Sequence, residues 1–295
     1  MDRRSYLQAV GAGGVVSLAG CGGAAPTDEE PTASVRSLTL AATTTINDSG
    51  LLNELTPGFT RAFGPQVNTV VRGTGGALRT ARNGDCDVVL VHARSLEDAF
   101  LRAGDGTNRR TVMVNDFLVV GPPDDPAGVA GLPPDTAFRD IASAEAAFLS
   151  RGDRSGTHIR ERQLWSEAGV DPTGDWYGET GQGMGNTLSL AAETGSYTLT
   201  DRGTFLNVAG GDLAAHVDRG IEDPGPLLRN EYAVIPVNPG RHDVAYPSAM
   251  AFAGHLTGPA QDAIEEFRID GEAVFRPVAR SESPEFEQYV PSDWR

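Results

Sequence analysis

The chain contains no lysine. All 24 basic residues are arginine, set against 40 acidic ones, for a formal net charge of −16. With no basic patch, nucleic acid is excluded as a partner. An acidic surface purged of lysine fits a protein working in high salt; GC-rich codon usage favours arginine in the same way. Cysteine is nearly absent, with only Cys21 and Cys86. No His/Cys cluster with metal-ligand spacing occurs, and the five scattered histidines read as structural. Cys86 sits beside a strand-like run and reads as a small buried residue. No internal repeat of solenoid period is present. The apolar run at 9–18 is too short and too glycine-rich for a membrane span.

That run has another reading. Arg3 and Arg4 precede it, and it ends in Leu-Ala-Gly-Cys at 18–21, which resembles a lipobox. Residues 1–20 therefore read as an export signal of the twin-arginine type. Cys21 becomes the lipid-bearing first residue, and 21–36 a flexible tether rich in Pro, Thr, Asp and Glu. A single acyl chain holds only marginally, so stable anchoring needs a second. A lipidated Cys21 leaves Cys86 without a disulfide partner. The expected location is the outer face of the cytoplasmic membrane. The alternative is a cytosolic N-terminal helix that happens to carry two arginines.

The remaining ~260 residues suit one large domain or two lobes. Apolar runs predict strands at 38–42, 67–72, 87–92, 117–121, 197–200 and 232–236. Helical spacing predicts helices at 51–63, 77–83, 96–103, 158–168, 186–193 and 257–267. Residues 281–295 read as irregular. Strands alternating with helices mark a parallel α/β sheet, in which ligands sit beyond the carboxyl ends of strands. Four loops fall there: 43–48, 73–76, 151–157 and 200–203. Each carries glycine, threonine, serine or arginine. The most informative is Arg-Gly-Asp-Arg-Ser-Gly-Thr at 151–157, placed just before a helix. Free backbone N–H groups, the helix dipole, hydroxyls and a guanidinium fork there suit an anion. Whether Arg151 or Arg154 points inward stays open.

Other chemistries fit less well. Gly-Thr-Gly-Gly at 73–76 lacks the Gly-Lys-Ser/Thr ending of a nucleotide loop, and Gly-Gln-Gly-Met-Gly at 181–185 departs from the dinucleotide fingerprint. It shapes a helix start near the site or forms a flexible loop. An exported hydrolase using Ser155 or Thr157 needs a positioned base, and none is marked. Thr43, Thr44 and Thr45 alone could simply end a strand. Trp176 and Tyr177 line a cleft or fill a core.

Nine blocks in order carry a resemblance: Ala-Thr-Thr-Thr at 42–45, Gly-Thr-Gly at 73–75, Asp-Val-Val-Leu-Val-His-Ala-Arg at 87–94, Asn-Arg-Arg at 108–110, Asn-Asp-Phe at 115–117, Ser-Arg-Gly-Asp-x-Ser-Gly-Thr-His at 150–158, Trp-Tyr at 176–177, Gly-Gln-Gly-Met-Gly at 181–185 and Tyr-Thr-Leu-Thr-Asp-Arg at 197–202. Together, over about 37–238, they resemble the tungstate-binding receptors of ABC importers. Two positions depart from that family: Ile46 stands where serine is usual, and Gly76 where lysine is usual.

The resemblance implies an α/β, two-lobed periplasmic-binding-protein fold, each lobe a mainly parallel sheet flanked by helices, with the ligand in the interlobe cleft. Lobe 1 would comprise 37–116 and 233–295, and lobe 2 117–232, hinged near 115–118 and 231–234. It implies a monomeric receptor, not an enzyme, with no cofactor and no metal cation, since tungsten is held as its oxyanion. Its partners would be an ABC permease with its ATPase subunits. Loop chemistry and resemblance together assign Thr44, Thr45 and Thr74 from the first lobe. From the second they assign Arg151, Ser155, Gly156 and Thr157, with Arg202 as a second cation. Molybdate, sulfate or phosphate is the alternative ligand.

Overall fold

The computed structural model describes residues 37–208, 211–280 and 290–291. The expected export signal, the tether with Cys21, and most of the irregular tail lie outside the described residues. In chain order the elements are β1 (Leu38–Thr43), α1 (Thr44–Asp48), α2 (Leu52–Phe63), β2 (Val67–Arg72), α3 (Thr74–Arg82), β3 (Val88–Val91) and α4 (Arg94–Arg102). Then come β4 (Arg110–Gly121), α5 (Pro134–Ser143), β5 (Phe148–Ser150), α6 (Gly156–Ala168), β6 (Tyr177–Glu179), α7 (Met184–Thr194), β7 (Thr198–Asp201), α8 (Arg202–Val208) and β8 (Ala214–Val217). The chain closes with α9 (Gly225–Leu228), β9 (Arg229–Pro236), α10 (Tyr246–Leu256), α11 (Ala260–Glu266), β10 (Arg268–Ile269), β11 (Glu272–Ala273) and β12 (Arg276–Pro277).

The period-2 alternation of β1 and β3 builds the first lobe. Leu38, Leu40, Val88 and Leu90 face one side, packing on α2, α10 and α11 through Leu55, Phe59, Phe252 and Ile264. Ala41, Val89 and Val91 face the other, against Leu78 of α3 and Phe100 of α4, with Cys86 buried among them. The second lobe repeats the scheme on β4. Phe117 and Val119 join Phe138, Phe148 and Trp165, while Leu118 and Val120 join Met184 and Leu188 of α7. Trp176 and Tyr177 pack on Trp165 at 5.7 and 6.1 Å between ring centroids, so they belong to this core.

Two strands run between the lobes. The front half of β4 pairs with β9, ending at Asp116 opposite Arg229; its back half pairs with β7 from Phe117 opposite Asp201. The chain leaves the first core between Met113 and Phe117 and returns between Leu228 and Tyr232. Among the described residues, β1 pairs in parallel with β2 and β3, and β5 with β6, with a single parallel bridge from Phe148 to Tyr197. The crossing strands are antiparallel to their neighbours, because β9 brings the chain back against β3 and β4.

Several elements differ from the sequence reading. The stretch 44–48 is a short helix rather than part of a loop, closed where Ser49 Oγ donates to the Ile46 carbonyl at 2.8 Å. The helices expected from 77 and 158 begin earlier, at Thr74 and Gly156. The strand expected at 117–121 is the rear of a twelve-residue strand, whose front carries buried Thr111, Asn115 and Asp116. Helix α10 is mostly apolar around its circumference and so lacks an amphipathic stripe.

Candidate functional site

Strand ends deliver the site residues. β1 ends at Thr43 and leads into Thr44; β2 leads into the start of α3; β5 leads into Arg151 and then α6. These three loops meet. Arg151 Nη2 donates to Thr44 Oγ1 across the cleft at 3.2 Å. A Cβ placed on Gly73, the N-cap of α3, would lie 3.5 Å from Asp153 Oδ2 and 3.6 Å from Ser155 Cβ. The N-cap of α7, Gly183, approaches Thr44 Cγ2 at 3.9 Å in the same measure, so the 181–185 glycines shape a helix start beside the cleft.

Gly156 lies closest of all. A Cβ there would sit 2.6 Å from His92 Cε1 and 2.7 Å from the His92 carbonyl oxygen. Only glycine lets the start of α6 reach the end of β3 so closely.

Within the loop, nearly every polar group has its partner. Gly152 N–H donates to Ser150 Oγ at 3.2 Å, Arg154 N–H to His158 Nδ1 at 3.0 Å, and Ser155 N–H to Asp153 Oδ1 at 3.0 Å. Ser155 Oγ caps α6 by accepting from His158 N–H at 3.2 Å. That use leaves the hydrolase reading without its base, since His158 Nδ1 is itself occupied by Arg154 N–H. Arg154 adopts φ +59, a left-handed strain of about 1–2 kcal/mol for a non-glycine residue. It is exposed, whereas Arg151 is 2% exposed, so Arg151 is the arginine that points inward.

Three polar atoms stand apart. Thr74 Oγ1, Arg151 Nε and Thr157 Oγ1 are buried without a hydrogen-bond partner among the described residues, as are His255 Nδ1 and Arg276 Nε outside these loops. The first three belong to the loops that meet at the cleft, one from the first lobe and two from the second. Orphaned buried donors each cost about 1–3 kcal/mol, so such a cluster points to a ligand. Arg151 also holds Asp153 Oδ2 at 2.6 Å.

Thr45 and Arg202 are placed differently from the sequence assignment. Thr45 Oγ1 is fully engaged, at 2.9 Å from His92 Nε2, 3.2 Å from Tyr232 OH and 3.1 Å from Thr43 Oγ1. Its hydroxyl belongs to the strand-end network, not to the cleft. Arg202 grips Asp116 through two bonds, Nε at 2.8 Å and Nη2 at 2.6 Å, and Nη2 also reaches Asp218. Its guanidinium balances the buried Asp116 beside the lobe crossing. Ile46 points into the first core, and a side chain at Gly76 would crowd Arg72.

The sequence missed a buried chain of bonds under the site. His92 Nδ1 lies 2.8 Å from Asn230 Oδ1, Asn230 Nδ2 donates to Asn115 Oδ1 at 2.7 Å, and Asn115 Nδ2 reaches Asp201 Oδ1 at 3.4 Å. Burial lowers the His92 pKa to about 4, with Asn230 opposing and Arg151 reinforcing the shift. The ring is therefore neutral; Nδ1–H donates to Asn230 and Nε2 accepts from Thr45. Burial raises Asp201 to about 6 against its Thr204 bonds. The one signal for His92 in the sequence is its place at a strand's carboxyl end.

Comparisons with known proteins give the family. A PBP superfamily domain matches residues 25–260. The chain is 48% identical to a "Putative ABC transporter anion-binding protein" of Haloferax volcanii, covering all of this chain and 91% of that one. It is 41% identical to the tungstate-binding protein TupA of Peptoclostridium acidaminophilum, over 90% of this chain and 94% of that one. The crystal structure of the tungstate ABC transporter from Geobacter sulfurreducens superposes with a TM-score of 0.69 at 45% identity, covering 76% of this chain and 94% of that one. With its two-lobed α/β fold, the chain belongs to the PBP superfamily, among the binding proteins of ABC transporters.

Proposed function

We propose that this protein is an extracytoplasmic receptor that closes its two lobes on tungstate and delivers it to an ABC permease with its ATPase subunits. The single observation carrying the reading is the trio of unpartnered buried atoms, Thr74 Oγ1, Arg151 Nε and Thr157 Oγ1, gathered from both lobes. Thr44, Thr74, Arg151 and Thr157 supply side-chain donors. Gly156 and Thr157 supply the first N–H groups of α6. Arg202 and the Thr45 hydroxyl act as struts.

Charge bookkeeping supports helix N-termini as the main positive element. Asp153 balances the Arg151 charge. The starts of α3, α6 and α7 each carry about +0.5 of a charge, roughly +1.5 together, against the two negative charges of the oxyanion. An anion stripped of water needs such fixed donors on every oxygen. The strands crossing at Asp116–Phe117 and near Arg229 are the hinge. Export by the twin-arginine route and a lipid at Cys21 would tether the receptor to the membrane.

A competition series by calorimetry in high salt tests the ligand. Tight one-to-one binding of tungstate, not displaced by sulfate or phosphate, is the expected outcome. Heat with phosphate and none with tungstate or molybdate overturns the assignment.

A further inference from the structure

Glu161 is a buried carboxylate that the binding site does not use directly. It is 2% exposed, and its three hydrogen-bond partners are all neutral. Ser150 Oγ donates to Oε2 at 2.6 Å, while Trp165 Nε1 at 3.1 Å and Tyr177 OH at 2.8 Å donate to Oε1. No arginine bonds it among the described residues. Burial pushes its pKa up to about 7 despite those three donors. A leucine or glutamine would fill this place at less cost, because an unpaired buried carboxylate opposes folding.

Its position explains the cost. Glu161 lies four residues beyond Thr157, on the same face of α6 and one turn behind the site. Ser150, its short-range partner, immediately precedes Arg151. Ser150 Oγ uses its proton on Glu161 and so keeps its lone pairs for Gly152 N–H. Gly152 has φ +62, and a Cβ on it would lie 2.7 Å from Glu179 Cβ, so only glycine fits the turn. On the outer side, Thr180 N–H and Gly181 N–H hold the carbonyls of Ser150 and Arg151, each at 2.9 Å. On the inner side Glu161 holds Ser150 Oγ, while Asp153 takes Arg151 Nη2 at 2.6 Å and the Ser155 N–H at 3.0 Å.

We propose that Glu161 is a positioning residue of the anion loop, setting the backbone turn before and after Arg151 by way of Ser150 and Gly152, while Asp153 orients the guanidinium itself. Replacing the carboxylate by an amide keeps the shape and reverses one bond. The amide oxygen must face Trp165 and Tyr177, both donors, so its N–H turns on Ser150 Oγ. The Ser150 hydroxyl then loses the acceptor for its proton and shares its lone pairs between the amide and the Gly152 N–H, so the hydroxyl reorients and the turn loosens.

This role rests on the receptor reading above, and the test separates the two. Wild type, Glu161→Gln and Ser150→Ala are titrated with tungstate as full chains, and amide exchange at Gly152 is followed without ligand. Both variants are expected to bind at least tenfold more weakly and to exchange Gly152 faster. Glu161→Gln is expected to melt no lower than wild type at pH 8, since it removes a costly buried charge. Unchanged affinity or unchanged Gly152 exchange overturns the proposal, as does an affinity loss in Glu161→Gln that only tracks a lowered melting temperature. If wild type takes up no tungstate while Gly152 still exchanges faster in both variants, the receptor reading fails and the positioning role stands.

Discussion

Gly156 of the second lobe rests on His92 of the first so closely that a Cβ would fall 2.6 Å from the ring and 2.7 Å from the His92 carbonyl. The carbonyl is backbone at the end of β3 and has little room to yield. Gly156→Ala is expected to hold the lobes apart while leaving each core intact. Small-angle scattering should show compaction with tungstate in wild type and none in the variant, with affinity down at least tenfold. Equal compaction would show that this contact does not limit closure.

Arg151 bridges the lobes through Thr44 and presents an unpartnered Nε. Arg151→Ala is expected to weaken tungstate binding at least a hundredfold with a normal circular dichroism spectrum. Lysine should not restore it, because the ammonium lacks the planar fork. Retained affinity in the alanine variant would move the site elsewhere.

Thr44 and Thr45 are neighbours with different tasks. Thr44→Val should weaken binding about tenfold, close to one hydrogen bond's worth, with unchanged stability. Thr45→Val removes the acceptor of the buried Tyr232 hydroxyl and the donor to His92 Nε2, so it should cost about 1–3 kcal/mol of stability. Urea unfolding and calorimetry on both variants check the split; the reverse pattern would exchange their roles.

Arg202 is the cation of Asp116, not of the ligand, in this arrangement. Arg202→Leu leaves a buried aspartate without its partner and should destabilise by about 3–5 kcal/mol. The folded fraction should still bind tungstate. Loss of binding with full stability would return Arg202 to the ligand set.

His92 titrates at about 4 when folded and near 6.5 when unfolded. Below pH 6.5 the unfolded chain takes up a proton that the folded chain refuses, so stability falls as pH drops toward 4. The loss is roughly 3 kcal/mol, at about 1.4 kcal/mol per pH unit. Glu161 and Asp201, raised to about 7 and about 6, act with the opposite sign, since protonating them in the fold removes a penalty. The stability difference between wild type and His92→Asn isolates the histidine. It should shift toward the variant by roughly 3 kcal/mol between pH 6.5 and 4; a pH-independent difference contradicts the assignment.

Much of this was legible in one dimension. Leu38, Leu40 and Ala42 alternate as a strand must, and Leu52, Leu55 and Phe59 recur as a helix must. The loop at 151–157 shows its glycine, hydroxyl and arginine content without help from the fold. Elements β6 and β8 were not legible, because Tyr-Gly-Glu and Ala-Ala-His-Val carry no run of β-branched or large apolar residues of the kind that marks β3, and they form strands only against β5 and β4. The partner of Arg202 was hidden because Asp116 is 86 residues away in sequence and 2.6 Å away in space.

The sequence by itself determined the chemistry, a lysine-free acidic chain with anion-type loops after its strands. Those properties are local, carried by residue type and spacing. Only the tertiary structure decided direction. It turned Arg151 inward and Arg154 out, drew Thr45 and Arg202 into supporting networks, and set Glu161 behind the loop. Those outcomes depend on which distant groups satisfy each buried donor, and packing alone settles that competition.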